Sequence, residues 1–238
     1  MLTKRKILIT DAVHPLLIKG LEAADYDCVY QPKISLAQVH DTIEAYCGIV
    51  VNSKISVDKA LLNKARQLEF IGRLGSGLES IDLAYAKERG VAVYNAPNGN
   101  CDAVAEHAMG MLLALAIQLK AGDRAVRQRN WQREKHRAWE LMGKTIGLIG
   151  FGHTGSAFAK RLSGFGVAIL AYDKYKTAYT QDYPYVREST MDFIFEQADI
   201  LSLHVPLTCE TRALVDWNYI SHFKKDFVLV NTARGAVV

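Results

Sequence analysis

The sequence predicts an α/β protein with two lobes, each built on a parallel sheet with helices on both faces. Three observations support this prediction. Short β-type segments alternate with helical segments over the first hundred residues, a long apolar helix then interrupts the alternation, and the alternation resumes after Gly143. Strands that alternate with helices form βαβ units, whose strands are parallel. We place the boundary between the lobes near residue 100.

The first lobe is expected to contain four strands and four helices. Residues 6–9, 48–51, 70–72 and 91–94 are predicted strands, and residues 16–24, 36–45, 57–65 and 81–89 are predicted helices. We expect Ser80 to cap the last of these helices and Gly90 to end it.

The second lobe follows a single helix, expected from residue 102 to about 122. This segment is too apolar for a solvent-exposed linker, so we expect it to pack between the lobes. After a charged connection, strands are predicted at residues 145–149, 167–172, 200–204 and 227–230, and helices at residues 154–165, from near Ser189, and at 217–223.

The composition is that of an ordinary globular protein. Of 238 residues, 50% are hydrophobic and 23% are charged, and the net charge is only +4. The most basic stretch, residues 124–137, also contains Glu134 and Trp131, which favours a solvated helix face over a nucleic-acid surface. The cysteines form no CxxC pair, so we expect reduced thiols and no metal site. With no signal peptide or spanning segment apparent, a soluble, cytoplasmic protein is expected.

A glycine-rich turn carries the first functional prediction. Gly150, Gly152 and Gly155 fit the pattern GxGxxG directly between a strand and a helix. The first glycine permits a tight turn, the second lets a pyrophosphate approach the backbone, and the third allows helix and strand to pack closely. Free amides at the helix N-terminus favour the phosphate charge. FAD or a methyl donor would use a similar turn.

Asp173 ends the next predicted strand, where an acid binds the hydroxyls of the adenine ribose. The same carboxylate repels the additional phosphate of NADP. The sequence therefore predicts NAD rather than NADP as the cofactor, although Lys174 weakens that preference.

Two further side chains follow predicted strands. Arg234 comes after the last strand, and ligands bind outside the carboxyl ends of strands in an open α/β sheet. An arginine there can hold a carboxylate bidentately. A surface ion pair is the alternative for Arg234. His204 also ends a strand, and it could be a general acid–base or part of the cofactor site.

Several motifs in order resemble the D-2-hydroxyacid dehydrogenase family, and within it the phosphoglycerate dehydrogenase-like branch. The resemblance extends over almost the whole sequence. It is carried by residues 72–82, 95–100, 105–107, 140–145, 150–155, 204–207 and 231–235.

The resemblance implies a flavodoxin-like substrate-binding lobe in residues 1–100 and an NAD-binding Rossmann lobe in residues 101–238, with the active site in the cleft between them. It also implies a homodimer to which the region of residues 102–122 contributes. The expected substrate residues are Asn52, Ser53, Arg73, Ser76 and Gly77, the last two binding the substrate carboxylate through backbone amides, and the catalytic residue is Arg234. The expected cofactor residues are Gly150, Gly152, His153, Thr154, Gly155, Asp173, His204, Val205, Pro206, Thr232 and Ala233.

The sequence departs from the family pattern in two places. The family's acid–base histidine and the glutamate that orients it come after the arginine motif, where this sequence ends at Val238. We therefore expect the Rossmann lobe to lack its C-terminal units and these 238 residues alone to turn over little substrate. A parent dehydrogenase, of which this chain is a part, is favoured over a complete non-catalytic NAD-binding interaction protein.

The second departure concerns the substrate. Asn52-Ser53-Lys54 stands where phosphoglycerate-using relatives commonly have Arg-Ser, and lysine is a less directional phosphate ligand than arginine. Phosphoglycerate, glyoxylate, hydroxypyruvate or another small 2-oxo acid therefore remain open as substrates.

Overall fold

The computed structural model describes residues 5–238. Its described part divides into two compact units, the first ending at Asn100 and the second beginning at Cys101.

The first unit is a five-stranded parallel sheet with four α-helices. Its strands are β1 (Arg5–Ile9), β2 (Tyr26–Tyr30), β3 (Gly48–Val51), β4 (Phe70–Arg73) and β5 (Ala92–Asn95). Its helices are α1 (Pro15–Ala23), α2 (Leu36–Thr42), α3 (Lys59–Lys64) and α4 (Leu83–Glu88). The strand order β2-β1-β3-β4-β5 is the flavodoxin-like order that the resemblance implied. The predicted α/β class is confirmed.

Two details of the first unit differ from the sequence prediction. Strand β2 was not predicted, because it is an edge strand whose residues are only partly buried and include the charged Asp27. The N-cap of α4 is Asp82 rather than Ser80, and its carboxylate accepts a hydrogen bond from the amide of Tyr85 at 3.0 Å. An aspartate caps a helix as well as a serine does, so the sequence offered two equivalent starts.

The second unit is also a five-stranded parallel sheet. Its strands are β6 (Thr145–Ile149), β7 (Ala168–Tyr172), β8 (Val186–Glu188), β9 (Ile200–Leu203) and β10 (Val228–Asn231). Its helices are α5 (Cys101–Ala116), α6 (Leu119–Arg127), α7 (His153–Leu162), α8 (Met191–Gln197) and α9 (Trp217–Ser221). The three-residue edge strand β8 was not predicted.

The order of strands in the second unit is β8-β7-β6-β9-β10, with all neighbours parallel. From β6 the chain adds β7 and β8 on one side of the sheet. It then crosses back and adds β9 and β10 on the other side of β6. Such a reversal opens a crevice at the carboxyl ends of the two central strands, because the loops that leave them turn to opposite faces. This crevice lies above β6 and β9.

The prediction of a single helix from residue 102 to 122 is wrong, because the chain forms two helices there. Gln118 adopts a left-handed conformation with φ of 50°, and α5 and α6 are bent by 57° relative to each other. Within its own unit, α5 packs against α7. In the described part of the chain no single helix is long and apolar enough to cross a membrane, although α5 and α6 reach that length and composition together.

Candidate functional site

The glycine turn brings three backbone segments into close contact. Gly150 has a φ of +91°, and a Cβ placed on it would lie 2.7 Å from the carbonyl oxygen of His204. A Cβ on Gly155 would overlap the carbonyl oxygen of Gly150. Side chains at these two positions would push the start of α7 away from the ends of β6 and β9. The first and third glycines are therefore needed for the close packing of the backbone at this turn.

Gly152 differs from both of its neighbours in the pattern. A Cβ placed there would meet no protein atom within 4 Å, and its φ of −82° suits any residue. Gly152 is the N-cap of α7 and supplies no side chain to cap it. The amides of His153, Thr154 and Gly155, in the first turn of this ten-residue helix, therefore have neither an intrahelical partner nor a side-chain cap. Open space beside uncapped amides suits an anion.

Asp173 lies next to this turn and is bonded to it. Its Oδ2 accepts a hydrogen bond from the amide of Phe151 at 2.7 Å. Its Oδ1 accepts hydrogen bonds from the amides of Tyr175 at 2.9 Å and Lys176 at 3.0 Å. A carboxylate offers about four acceptor positions. Three are occupied by backbone amides, which leaves Oδ2 able to accept one more hydrogen bond, such as that of a ribose hydroxyl.

A cavity of about 450 Å³ opens beside the turn and Asp173. The predicted residues that line it are Gly150, Gly152, Asp173, His204, Val205 and Pro206. Sequence reasoning missed most of the remaining wall, which includes Tyr175, Met191, Leu214, Tyr219 and Glu210. These residues follow β7 or come from α8, α9 and the segment after β9, and no local motif marks them.

His204 is a buried part of the cavity wall. Its Nε2 lies 3.0 Å from the hydroxyl of Ser202, and its ring packs against Phe158 with the centroids 5.4 Å apart. Burial lowers the pKa of His204 to about 4, so the side chain is neutral at pH 7. A buried histidine that resists protonation is poorly suited to exchange protons with a substrate. Its backbone carbonyl, against Gly150, is the part that borders the glycine turn.

The predicted residues at the end of β10 do not line this cavity. Asn231 organises the turn that holds them: its Oδ1 accepts a hydrogen bond from the amide of Ala233 at 3.0 Å, and its Nδ2 donates to the carbonyl of Arg234 at 2.9 Å. Arg234 is exposed. The Oγ1 of Thr232 is buried and has no hydrogen-bond partner among residues 5–238.

In the first unit, the predicted substrate residues gather at the carboxyl edge of the sheet. The guanidinium of Arg73 donates a hydrogen bond to Oδ1 of Asn52, and the hydroxyl of Ser53 lies 3.4 Å from that oxygen. The loop with Ser76 and Gly77 follows β4, and Nδ2 of Asn95 donates to the carbonyl of Ser76 at 2.7 Å. The structure thus joins Asn52, Ser53 and Arg73 in one cluster.

Lys54 and Asp11 extend this cluster. The amide of Asn52 donates to Oδ2 of Asp11 at 3.0 Å, and the ammonium of Lys54 lies 4.0 Å from Oδ1 of Asp11. Lys54 also donates to the carbonyl of Pro32 at 2.6 Å. Asp11 was not predicted, because the family resemblance that indicated the other residues did not include it.

The chain is similar to known proteins in both sequence and fold. The model of the NAD-binding domain of D-isomer-specific 2-hydroxyacid dehydrogenases matches residues 109–238. The chain is 33% identical over 233 residues to D-3-phosphoglycerate dehydrogenase of Bacillus subtilis, which covers 98% of this chain and 44% of that protein. It is 38% identical over 190 residues to hydroxypyruvate reductase of Thermotoga maritima, which covers 80% of this chain and 61% of that protein.

A solved structure shows the same fold. D-lactate dehydrogenase from Aquifex aeolicus, complexed with NAD and lactic acid, superposes with a TM-score of 0.85 at 29% identity, over 98% of this chain and 70% of that one. The chain spans less than half the length of the Bacillus subtilis phosphoglycerate dehydrogenase that it matches.

The buried His204 makes a pH dependence of stability testable. Unfolded histidine has a pKa of about 6.5. Between that value and the native pKa of about 4, the unfolded chain binds a proton that the native chain does not. Stability of the second unit should therefore fall as the pH drops through this range, by up to about 3 kcal/mol. His204→Gln, which can still bond to Ser202, should flatten this dependence.

Urea denaturation followed by tryptophan fluorescence measures the effect, because all three tryptophans lie in the second unit. His107→Gln, at an exposed position on α5, is the matched control and should keep the wild-type slope. If the stability of His204→Gln changed with pH as that of the wild-type protein does, the lowered pKa of His204 would be contradicted.

Proposed function

Because the chain belongs to the family of D-isomer-specific 2-hydroxyacid dehydrogenases, we propose that it forms the substrate- and cofactor-binding parts of an enzyme that transfers hydride between NAD(H) and a small 2-hydroxy or 2-oxo acid. The observation that carries the proposal is one cavity lined by both Gly152, where the backbone is open beside the uncapped amides of α7, and Asp173. An anionic group and an adjacent sugar would find both of their partners there.

The second unit, residues 101–238, is proposed to hold NAD. The amides of His153 and Thr154 would bind the pyrophosphate, and the free acceptor position of Asp173 would bind the adenine ribose. Val205 and Pro206 would line the adenosine side, with His204 contributing through its backbone. Thr232 and Ala233 would flank the nicotinamide, whose ring accepts or donates hydride when NAD is bound.

The first unit, residues 1–100, is proposed to hold the acid. The amides of Ser76 and Gly77 would bind the substrate carboxylate, with Arg73 supplying positive charge from the end of β4. Asn52 would orient Arg73 by accepting its hydrogen bond, and Ser53 would orient Asn52 by donating to the same oxygen. Arg234 is the proposed catalytic residue, since a permanently charged guanidinium can orient a 2-oxo acid and polarise its carbonyl.

The role of Gly152 can be tested without disturbing the fold. In Gly152→Ala the added methyl group meets no protein atom, so the melting temperature should stay within about 2 °C of wild type. If pyrophosphate lies against this backbone, the methyl group displaces it, and NADH affinity should fall by about tenfold or more. Quenching of tryptophan fluorescence by NADH measures that affinity.

Gly164→Ala is the matched control, because a Cβ there also meets no protein atom within 4 Å and the residue lies outside the cavity. It should bind NADH as the wild-type chain does. Equal NADH affinities for Gly152→Ala and Gly164→Ala would exclude the proposed phosphate position. A wild-type chain that binds no NADH would refute the proposed function.

The proposed substrate is D-3-phosphoglycerate, because relatives that cover 98% of this chain carry that name. A second candidate, an unphosphorylated acid such as glyoxylate or hydroxypyruvate, is favoured by Lys54. Its ammonium is already bonded to the carbonyl of Pro32 and lies near Asp11, which leaves less positive charge for a phosphate.

Reduction of 3-phosphohydroxypyruvate and of hydroxypyruvate separates these candidates, because the two substrates differ only by the phosphate. In the complete gene product we expect kcat/KM to be more than about tenfold higher for the phosphorylated substrate, equivalent to about 1.4 kcal/mol. Lys54→Met should reduce that ratio. A ratio below tenfold would favour the unphosphorylated acid.

We further propose a homodimer formed through α5 and α6. These helices and the break between them expose apolar side chains that a monomer would leave in water, among them Leu115 at 54%, Ile117 at 50% and Leu119 at 55% exposure. Exposed apolar groups that adjoin one another mark interaction surfaces.

Leu115→Asp should convert the dimer to a monomer in sedimentation velocity, because a charge buried in an apolar interface has no partner. Leu16→Asp, at an exposed position on α1, is the control and should sediment as the wild type does. The dimer proposal fails if wild-type protein sediments as a monomer at tens of micromolar, or if Leu115→Asp remains dimeric.

A further inference from the structure

Four charged side chains surround the adenosine end of the proposed NAD site. Asp173 carries a negative charge beside the position proposed for the ribose, and Lys174 follows it directly. The ammonium of Lys174 lies 2.8 Å from Oε2 of Glu210. Lys176 is directed elsewhere, because its ammonium donates to the carbonyl of Phe151 at 3.3 Å. Lys174 is therefore the cation whose position decides the charge at this rim.

Free lysines bind phosphate well, as compact cations with three donors. A mobile Lys174 beside the ribose would attract the additional phosphate of NADP and offset the repulsion from Asp173. The carboxylate of Asp173 by itself therefore does not ensure a preference for NAD over NADP in this chain. Whatever holds Lys174 contributes to that preference.

Glu210 is held in place independently of Lys174. The hydroxyl of Tyr175 donates to the same Oε2 at 2.6 Å. Glu210 also belongs to a turn closed by two threonines, in which the amide of Thr208 donates to Oγ1 of Thr211 at 2.8 Å. The hydroxyl of Thr211 in turn donates to the carbonyl of Pro206. The turn presents the carboxylate of Glu210 at the rim of the cavity.

We propose that Glu210 is a specificity-determining residue that disfavours NADP by pairing with Lys174 and so offsetting its positive charge at the rim of the cavity. The proposal rests on the proposed function, since it assumes that adenosine occupies this cavity. It assigns Glu210 a positioning role that acts through Lys174.

The charges of the two groups support a pair that persists at neutral pH. The hydrogen bond to Glu210 raises the pKa of Lys174 above its usual value. The hydrogen bonds from Lys174 and Tyr175 lower the pKa of Glu210. Both side chains are about half exposed, at 56% and 49%, so the pair is accessible to salt and the discrimination it provides should be moderate.

The test compares the affinities of NADH and NADPH in Glu210→Gln, measured by tryptophan fluorescence quenching at low salt. Glutamine keeps an acceptor for Tyr175 but no longer pairs with Lys174 as an ion. We expect NADPH to bind about fivefold more tightly, because the unpaired cation of Lys174 would then attract its additional phosphate. The affinity for NADH should change by less than about twofold. The gain should shrink in 0.5 M NaCl.

Two further variants identify the mechanism. Lys174→Met combined with Glu210→Gln should lose the gain in NADPH affinity, because no cation is then released. Glu196→Gln removes the same charge from an exposed position on α8 outside the cavity, and it should leave both affinities unchanged.

Two results would overturn the proposal: an unchanged ratio of NADPH to NADH affinity in Glu210→Gln, whether neither affinity or both affinities change, or a gain that persists without Lys174. Equal changes would mean that Glu210 only shapes the cavity. A wild-type chain that binds no NADH would instead refute the proposed function, which the Gly152→Ala comparison tests separately.

Discussion

The contact among three backbone segments at the glycine turn is the constraint on which the second unit depends. Gly155 packs on the carbonyl of Gly150, and Gly150 packs on the carbonyl of His204. This contact fixes the start of α7 directly above the ends of β6 and β9, where the strand order reverses. Because the helix begins there without a side-chain cap, its first amides face the crevice. A larger residue at Gly150 or Gly155 would move the helix, and the anion position would move with it.

Asp173 extends that constraint across the crevice. Its bond to the amide of Phe151 connects the end of β7 to the glycine turn, so the two proposed partners of the cofactor are held at a fixed spacing before any ligand arrives. The amides of Tyr175 and Lys176 keep the carboxylate oriented. An acid at this position therefore acts in the fold as well as toward a ribose. Preorganisation of this kind reduces the entropy lost on binding.

The sequence predicted those features that depend on local pattern. Central strands such as β3 and β6 are continuous apolar runs, and the glycine turn has a fixed spacing, so both were recognised. The edge strands β2 and β8 were missed because they are short or partly exposed, and pattern alone does not separate them from loops. The break between α5 and α6 at Gln118 was missed because no glycine or proline occurs there to indicate the end of a helix. The contact of Glu210 with Lys174 joins segments distant in sequence, and only the packed fold reveals such pairs.

Asp173 and Glu210 differ in what else each carboxylate does in the fold. Replacing Asp173 removes a negative charge and, in the same step, an acceptor for three backbone amides. A loss of NAD affinity after that substitution therefore has two physical causes that binding data do not separate. Glu210 lies on a different loop, bonds only to side chains at the rim, and makes no contact with the glycine turn that the structure records. Its charge can be removed while the turn stays intact. The electrostatic part of cofactor choice is therefore accessible at Glu210, whereas at Asp173 it is inseparable from the geometry of the site.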